Sequence, residues 1–406
     1  MVEGPIPREH YLNLLRSSRD VPMIKVLTGM RRCGKSTLMS MFREELLESG
    51  VPHDKILYIN LDDETDRSID THRKLIDAVK EALRPGKGTY LFFDEVQNVP
   101  EWERAVESFH ISGADVYVTG SNSQMLSSEI ATKLSGRCIE IPVYPLSFRE
   151  YTEFRKTIGD ETRAIDALFA DYMRRGGLPA VALMEDGRRD LISLMLSGTY
   201  NTVYVKDVVE RNEIRNAPLL SNISRFLMKN VGDRTSVRNV TNYLVSKGMK
   251  TSAETVNNYI SALESALLFH RAKRFDVKTK EYLRTSDKFY VSDLGIRNNE
   301  VGFHDRDLDG MLENVVYMEL IRRHGNVSVC AVDGNEVDFM VSGAGGTAYY
   351  QVTMSIIDPA TRERELRSLK AIADNYPKTI VTMDRYPIDD IEGTRIVNIV
   401  DFLMEQ

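Results

Sequence analysis

The sequence predicts an α/β domain on a parallel sheet, then a helical domain, then a second α/β domain. Three observations carry this reading. The glycine-rich stretch Gly29-Met30-Arg31-Arg32-Cys33-Gly34-Lys35-Ser36-Thr37 stands between an apolar, β-branched run and a helical apolar spacing. Short apolar runs then alternate with helical patterns as far as Pro145. Beyond it helices dominate, until a helix, three strands, a helix and a strand close the chain.

At 406 residues the chain exceeds one comfortable core, and about 150 residues per domain gives two to three domains. The motifs divide it at 1–155, 156–300 and 301–406. With 42% hydrophobic and 28% charged residues it has the balance of a folded protein. A formal charge of −7 excludes a protein that coats nucleic acid or membrane over its whole surface, so any nucleic-acid site must be a local patch. Cys33, Cys138 and Cys330 are far apart and form no CxxC pair, which points to reduced thiols and not to a zinc site or disulfides. The start, Met1 to Ile6, lacks a basic segment followed by an apolar one, and no run reaches about 18 apolar residues. A cytoplasmic chain without membrane contact is expected.

In the first domain, Met23 to Thr28 leads as a strand into the glycine loop, and Leu38, Met39, Phe42 and Leu46 follow at helical spacing. Ile56 to Leu61, Thr89 to Phe93 and Val116 to Thr119 are three further strands, each ending in polar residues. Helical patterns at Ile69 to Leu83 and Trp102 to Phe109 separate them, so the sheet should be parallel with right-handed crossovers. Ligands of such sheets sit at the carboxyl ends of the strands.

The loop has the G-x-x-x-x-G-K-S spacing of a P-loop, and its chemistry follows from it. Gly29 and Gly34 let the backbone curl so that N–H groups face phosphates at a helix N-terminus. Lys35 supplies a mobile cation, and Ser36, followed by Thr37, is placed to ligate magnesium. Arg31 and Arg32 either touch phosphate or cap the site. Cys33, among the amides and beside Arg32, is expected to be a reactive thiolate that ATP protects. Leu91 to Glu95 is an apolar strand ending in two acids, where Asp94 should hold magnesium and Glu95 should polarise the attacking water. The third strand tip offers either Ser121 or Asn122 as a γ-phosphate sensor. ATP and Mg2+ are therefore the expected ligands.

In the middle domain, Phe148 to Phe154 and Ile165 to Arg175 read as helices, broken by Gly176-Gly177-Leu178-Pro179. Leu219 to Val231, Ser236 to Lys247 and Thr251 to Leu268 are three more, followed by Arg271 to Val277 and Lys288 to Val291 as a hairpin, a winged-helix order. Thr251 and Glu254 have capping-box spacing. On the third helix, Val256, Tyr259, Ile260, Leu263 and Leu267 make an apolar face opposite Asn257, Asn258 and Ser261. With Arg271, Lys273, Arg274, Lys278, Lys280 and Arg284 in the hairpin, this is either a DNA-binding surface or a packing module with solvated lysines. The third helix carries no arginine or lysine, which speaks against sequence-specific reading.

The last domain begins with a helix, Leu312 to Arg323, and the strands Val327 to Val332, Glu336 to Val341 and Thr347 to Thr353, joined by short glycine turns. Its order resembles the restriction-endonuclease-like fold, with Glu313 on the helix, Asp338 at the second strand, and Gln351-Val352-Thr353 where that fold carries Glu-x-Lys. Gln351 offers a neutral carbonyl and Thr353 replaces the lysine. Arg362, Glu363 and Lys370 on the next helix are candidates to replace it, and the expectation is an inert fold kept for binding or packing.

Taken together, the motifs resemble a family of AAA-type ATPases of bacteria and archaea whose C-terminal half is a domain of unknown function. The glycine loop, Phe-Asp-Glu-Val-Gln, Thr-Gly-Ser-Asn, Leu134-Ser135-Gly136-Arg137 and Pro-Leu-Ser-Phe-Arg-Glu resemble its N-terminal signatures. Gly176 to Pro179, Lys206-Asp207-Val208, Tyr290 to Gly295 and Glu336 to Phe339 resemble its C-terminal ones. The resemblance implies that Arg137 acts as an arginine finger on a neighbouring subunit's nucleotide, hence a homo-oligomer; the alternative is a surface arginine paired to Glu140. Two functions follow: an ATPase whose cycle moves the C-terminal half, with DNA as one candidate track, or an ATP-bound switch for a protein partner. An ATP-regulated nuclease is the third, weakened by the missing lysine.

Overall fold

The computed structural model describes residues 4–62, 69–122, 134, 136–283, 286–332, 334–343, 345–385 and 389–405. Of the positions named above, Met1, Ser135 and Arg284 lie outside these. The chain forms two compact units, Met1–Pro145 with Ser265–Leu267, and Leu146–Glu264 with Leu268–Gln406.

The first unit runs α1 (Glu9–Ser18), β1 (Ile24–Thr28), α2 (Lys35–Glu48), β2 (Ile56–Asn60), α3 (His72–Ala82), β3 (Tyr90–Asp94), α4 (Trp102–Ile111), β4 (Asp115–Gly120) and β5 (Cys138–Pro142). Its sheet has the order β2-β3-β4-β1-β5 with every pair parallel. Strand β5 is not among the four runs picked out by hydrophobicity. Its central Glu140 and terminal Pro142 blur an apolar signal, and an edge strand, paired on one side only, tolerates both. Period-2 alternation splits the sheet between two cores. Ile24, Val26, Leu91, Phe93, Val116 and Val118 meet Leu75, Val79, Trp102, Val106 and Phe109 of α3 and α4. Leu27, Phe92 and Tyr117 meet Tyr11, Leu12 and Leu15 of α1 and Leu38, Met39, Phe42 and Leu46 of α2.

The second unit opens with α5 (Phe148–Lys156), α6 (Ile165–Arg175), α7 (Pro179–Ala182) and α8 (Arg189–Thr202), which continues as a π-helical stretch, Val203–Glu210. Helices α9 (Ala217–Lys229), α10 (Val237–Ser246) and α11 (Ala253–Ser265) follow, then β6 (Phe269–Ala272), β7 (Arg274–Asp276), β8 (Glu281–Tyr282) and β9 (Lys288–Val291). The chain ends with α12 (Leu294–Val301), α13 (Leu308–His324), β10 (Val327–Val332), β11 (Asn335–Gly343), β12 (Gly346–Thr353), α14 (Pro359–Lys370), β13 (Lys378–Thr382), β14 (Asp390–Ile391), β15 (Thr394–Asn398) and α15 (Ile399–Met404). Strands β10, β11 and β12 form an antiparallel meander, and β13 and β15 extend it in parallel.

The stretch expected as one hairpin arm, Arg271 to Val277, is divided between two sheets. Strand β6 pairs with β9, and β7 then joins the last sheet, parallel to β10. The reason is apolar: Phe275 and Val277 pack against the core of Cys330, Val337, Tyr349 and Ile380, so the segment gains more from that core than from a solvated wing. The middle and last parts of the chain thereby share one sheet of order β14-β15-β13-β12-β11-β10-β7-β8.

Two signature stretches have plain structural causes. Ser147 and Glu150 form a complete capping box at α5. Gly176, at φ 74°, and Gly295 surround Asp293: a Cβ on Gly176 would lie 2.3 Å from its carboxylate, and one on Gly295 would lie 1.9 Å from Arg175 O. Asp293 accepts from Gly177 N at 2.7 Å and Ile296 N at 3.0 Å. At α11 the cap is Ser252, which accepts from Thr255 N at 3.1 Å, one residue later than the Thr251 and Glu254 box expected. Among the described residues no helix is long and apolar enough to cross a membrane.

Candidate functional site

Strand β1, buried throughout, delivers Gly29 to the carboxyl edge of the sheet. A Cβ there would lie 2.1 Å from Val143 O and 2.8 Å from Cys33 Sγ, so only glycine fits. Gly34 closes the loop in the left-handed region at φ 103°, as does Arg32 at 66°. Among the described residues no side chain caps α2, so its first N–H groups are left for an anion. Lys35 Nζ donates to Gly29 O at 2.8 Å and Met30 O at 3.2 Å, and lies 3.8 Å from Glu95 Oε1. Ser36 and Thr37 are exposed at the mouth, as is Arg32, while Arg31 Nη1 is 3.5 Å from Asp62 Oδ2. Cys33 departs from expectation. Its side chain has 0% exposure and belongs to the core under α2, so the thiol faces away from the phosphate cradle.

Strand β3 brings Asp94 and Glu95 to the same edge, both buried. Asp94 accepts from Tyr58 Oη at 3.1 Å and, in a short bond, from Thr119 Oγ1, which also accepts from Glu95 N at 2.9 Å. Glu95 sits at φ 52°, a strained value for a glutamate. Its carboxyl receives a short bond from Gln97 Nε2. Burial opposes its ionisation, but the charges of Lys35 and Arg31 and hydrogen bonds from Gln97 and Ser121 outweigh it and hold the pKa below the ordinary value. Ser121 is thus brought to the acidic pair, and Asn122 is buried beside it in the chain. An exposed hydroxyl at Ser36 and the carboxylate of Asp94 form a hard-oxygen donor set that suits magnesium.

Arg137 stands elsewhere. Cys138, the first residue of β5, faces Ile24, the first residue of β1, so Arg137 lies at the amino edge of the sheet, about 16 Å of strand from the loop. Its Nη1 is 3.4 Å from Glu107 Oε1, not paired to Glu140, and its side chain is 48% exposed.

In the second unit, Glu313 on α13 and Asp338 on β11 do meet, around a lysine that spacing did not suggest. Lys288 Nζ, on β9, lies 2.7 Å from Glu313 Oε1, 3.1 Å from Asp338 Oδ1 and 3.2 Å from Glu336 Oε1. Tyr290 Oη donates to Glu313 at 2.5 Å. Gln351 bridges Asp338 N, at 3.2 Å, and Glu365, at 2.8 Å. Burial opposes the ammonium, but Asp338, Glu313 and Glu336 outweigh it and raise its pKa; burial and Asp338 push the Glu313 carboxyl up. Thr353 donates to Ser355 O at 3.4 Å, Glu363 pairs with Arg367 at 3.7 Å and Lys370 with Glu392, so none of these joins the cluster. Among the described residues no three His, Cys, Asp or Glu side chains are set to hold a metal.

The basic hairpin is partly neutralised. Arg271 is 2.6 Å from Glu264 and 3.8 Å from Asp287, and Arg274 is 3.3 Å from Glu336. Lys273, Lys278 and Lys280 are exposed, as are Asn257, Asn258 and Ser261 on α11. Tyr58, Thr119, Gln97 and Lys288 were not singled out from the sequence. Thr119 and Gln97 stand inside quoted motifs, where a polar residue beside an apolar strand end is a usable signal; Tyr58 and Lys288 sit in apolar strands and give none.

The chain has counterparts among known proteins. Residues 22–152 match a family model described as an AAA domain, and residues 166–307 match one described as a domain of unknown function. An uncharacterized protein of Haemophilus influenzae is 33% identical, the match covering 100% of both chains. An uncharacterized protein of Methanocaldococcus jannaschii is 30% identical over 93% of this chain and 87% of its own. Among solved structures, a Walker-type ATPase of Pyrococcus abyssi aligns with a TM-score of 0.51 and 17% identity, covering 73% of this chain and 96% of its own, a likeness of fold.

Proposed function

Because the chain belongs to the family of its full-length relatives in Haemophilus influenzae and Methanocaldococcus jannaschii, and its first unit is an AAA domain of P-loop type, we propose that it is a magnesium-dependent ATPase. The observation that carries this is the convergence of Lys35, Asp94 and Glu95 at one sheet edge, with Lys35 Nζ 3.8 Å from Glu95 Oε1. On this reading Lys35 leaves the Gly29 and Met30 carbonyls for the outer phosphates, and the free N–H groups of α2 receive the β-phosphate. Ser36 and Asp94 would hold magnesium, which supplies charge neutralisation on the phosphates when bound. Glu95, ionised, accepts a proton from water as the water oxygen attacks the γ-phosphorus and the bond to ADP breaks. Ser121 orients Glu95, and Asn122 remains the candidate contact for the γ-phosphate.

Lys35→Ala should abolish nucleotide binding. Glu95→Gln should keep binding and lower turnover by roughly 10² to 10⁴. A steady-state phosphate-release assay beside fluorescent-nucleotide titration decides it, and equal loss of binding in both variants would remove Glu95 from the role of base.

The same cycle would move the second unit. We read α9, α10, α11 and the β6–β9 pair as a winged helix and the last sheet as a restriction-endonuclease-like fold kept for binding. The observation against a nuclease is Lys288, whose ammonium occupies the space between Glu313 and Asp338 that a catalytic cation needs. Lys273, Lys278 and Lys280, with Asn257 and Asn258, offer DNA a modest exposed surface. The assay with and without DNA separates a DNA-coupled motor from a switch for a protein partner: stimulation supports the first.

A further inference from the structure

Gln97 lies two residues beyond Glu95, in the short 3₁₀ turn Val96–Asn98. Its Nε2 donates to Glu95 Oε2 and stands 3.4 Å from Ser121 Oγ. An ionised carboxylate accepts and cannot donate, so the amide has to present nitrogen to Glu95 and turn its oxygen the other way. That oxygen, Oε1, is buried and has no hydrogen-bond partner among the described residues. A buried carbonyl without a donor is unfavourable, and such an atom in a native site calls for a missing partner. It belongs to the amide that grips Oε2 of Glu95, the carboxylate whose other oxygen, Oε1, faces Lys35.

The attacking water has two O–H bonds, and Glu95 accepts only one. We infer that Gln97 positions the reaction twice: its Nε2 fixes the Glu95 carboxylate through Oε2, and its orphan Oε1 accepts the second O–H of the attacking water. This rests on the reading of Glu95 as base and deepens it. The water oxygen bonds to the γ-phosphorus, the bridging bond to ADP breaks, and one proton passes to Glu95. Gln97 gives and receives hydrogen bonds only and ends unchanged. A glutamine orients the attacking water in other P-loop hydrolases from a different place in the chain, so the amide is chemically suited to the task.

The test compares wild type, Gln97→Met, Gln97→Glu and Glu95→Gln, each followed by melting, fluorescent-nucleotide titration and steady-state kinetics. Gln97→Met keeps the length and volume and removes both hydrogen bonds; Gln97→Glu keeps the acceptor and replaces the donor with a second acceptor. Both should lower kcat by roughly 10- to 100-fold and leave KM and nucleotide affinity within about twofold of wild type. A wild-type kcat in Gln97→Met, or a change confined to KM, overturns the inference. If Gln97→Met loses its melting transition, Gln97→Glu decides alone, and a wild-type kcat there overturns it. Wild type no faster than Glu95→Gln overturns the ATPase reading itself, and this inference with it.

Discussion

Single buried charges do much of the work in this protein, and two give direct tests. Lys288 has three carboxylates around it, with Tyr290 sharing Glu313. Removing one partner from a buried ion cluster typically costs about 3–5 kcal/mol, because the other charges stay buried without it. Lys288→Met should therefore lower the free energy of unfolding by that order, read from denaturant titration, and an unchanged value would show the cluster to be dispensable. Asp293 offers a pH test. Burial pushes its carboxyl up to about 6 from an ordinary 3.8, even with N–H donors from Ile296, Gly177, Gly295 and Leu178. The folded state then binds the proton more tightly than the unfolded one, so this contribution is complete below the unfolded value and is lost as pH rises through about 6. It amounts to about 3 kcal/mol at most. Wild-type stability relative to Asp293→Asn should fall from acid to neutral pH; a constant difference across that range would contradict the assignment.

At the level of elements, the glycine loop is held from below by a strand that hydrophobicity did not reveal. Val143, just past β5, donates to Thr28 O at 2.6 Å, and its carbonyl fills the space over Gly29. A methyl group there meets backbone that the β1–β5 ladder fixes, so Gly29→Ala should cost roughly 1–3 kcal/mol by overpacking and distort the cradle. Melting and nucleotide titration together check this; a variant that binds nucleotide and melts as wild type would show that the loop can yield. The spacing of Gly29 to Thr37 was legible because a P-loop needs those residue types in that order. The turn of Cys33 into the core was not, since nothing in spacing says which side of a curled loop each side chain takes.

Across the molecule, the sheet separates Arg137 from the loop of its own chain, since one stands at the amino edge and the other at the carboxyl edge. If Arg137 acts on phosphate, it acts on another subunit's. Arg137→Ala should then bind ATP and lose turnover by roughly 10³- to 10⁵-fold. A Lys35→Ala chain cannot bind ATP but still carries Arg137, so mixing the two should recover activity that neither has alone. Wild-type activity per chain should rise with concentration. A mixture as inactive as its components, with one specific activity at every dilution, would leave Arg137 as the partner of Glu107 seen here.

The sequence by itself determined the AAA domain, its parallel sheet, the placing of Asp94 and Glu95 at a strand end and that of Lys35 at the start of the helix behind the loop, because glycine spacing and apolar alternation are local consequences of backbone geometry. Only the tertiary structure decided that β5 borders β1, that β7 leaves the expected wing for the last sheet, that Lys288 enters the Glu313–Asp338 pair, and that Gln97 grips Glu95 through its amide nitrogen while its carbonyl has no partner among the described residues. Each of these joins residues far apart in the chain or fixes a side-chain direction, and burial and charge pairing settle those only when the chain is packed.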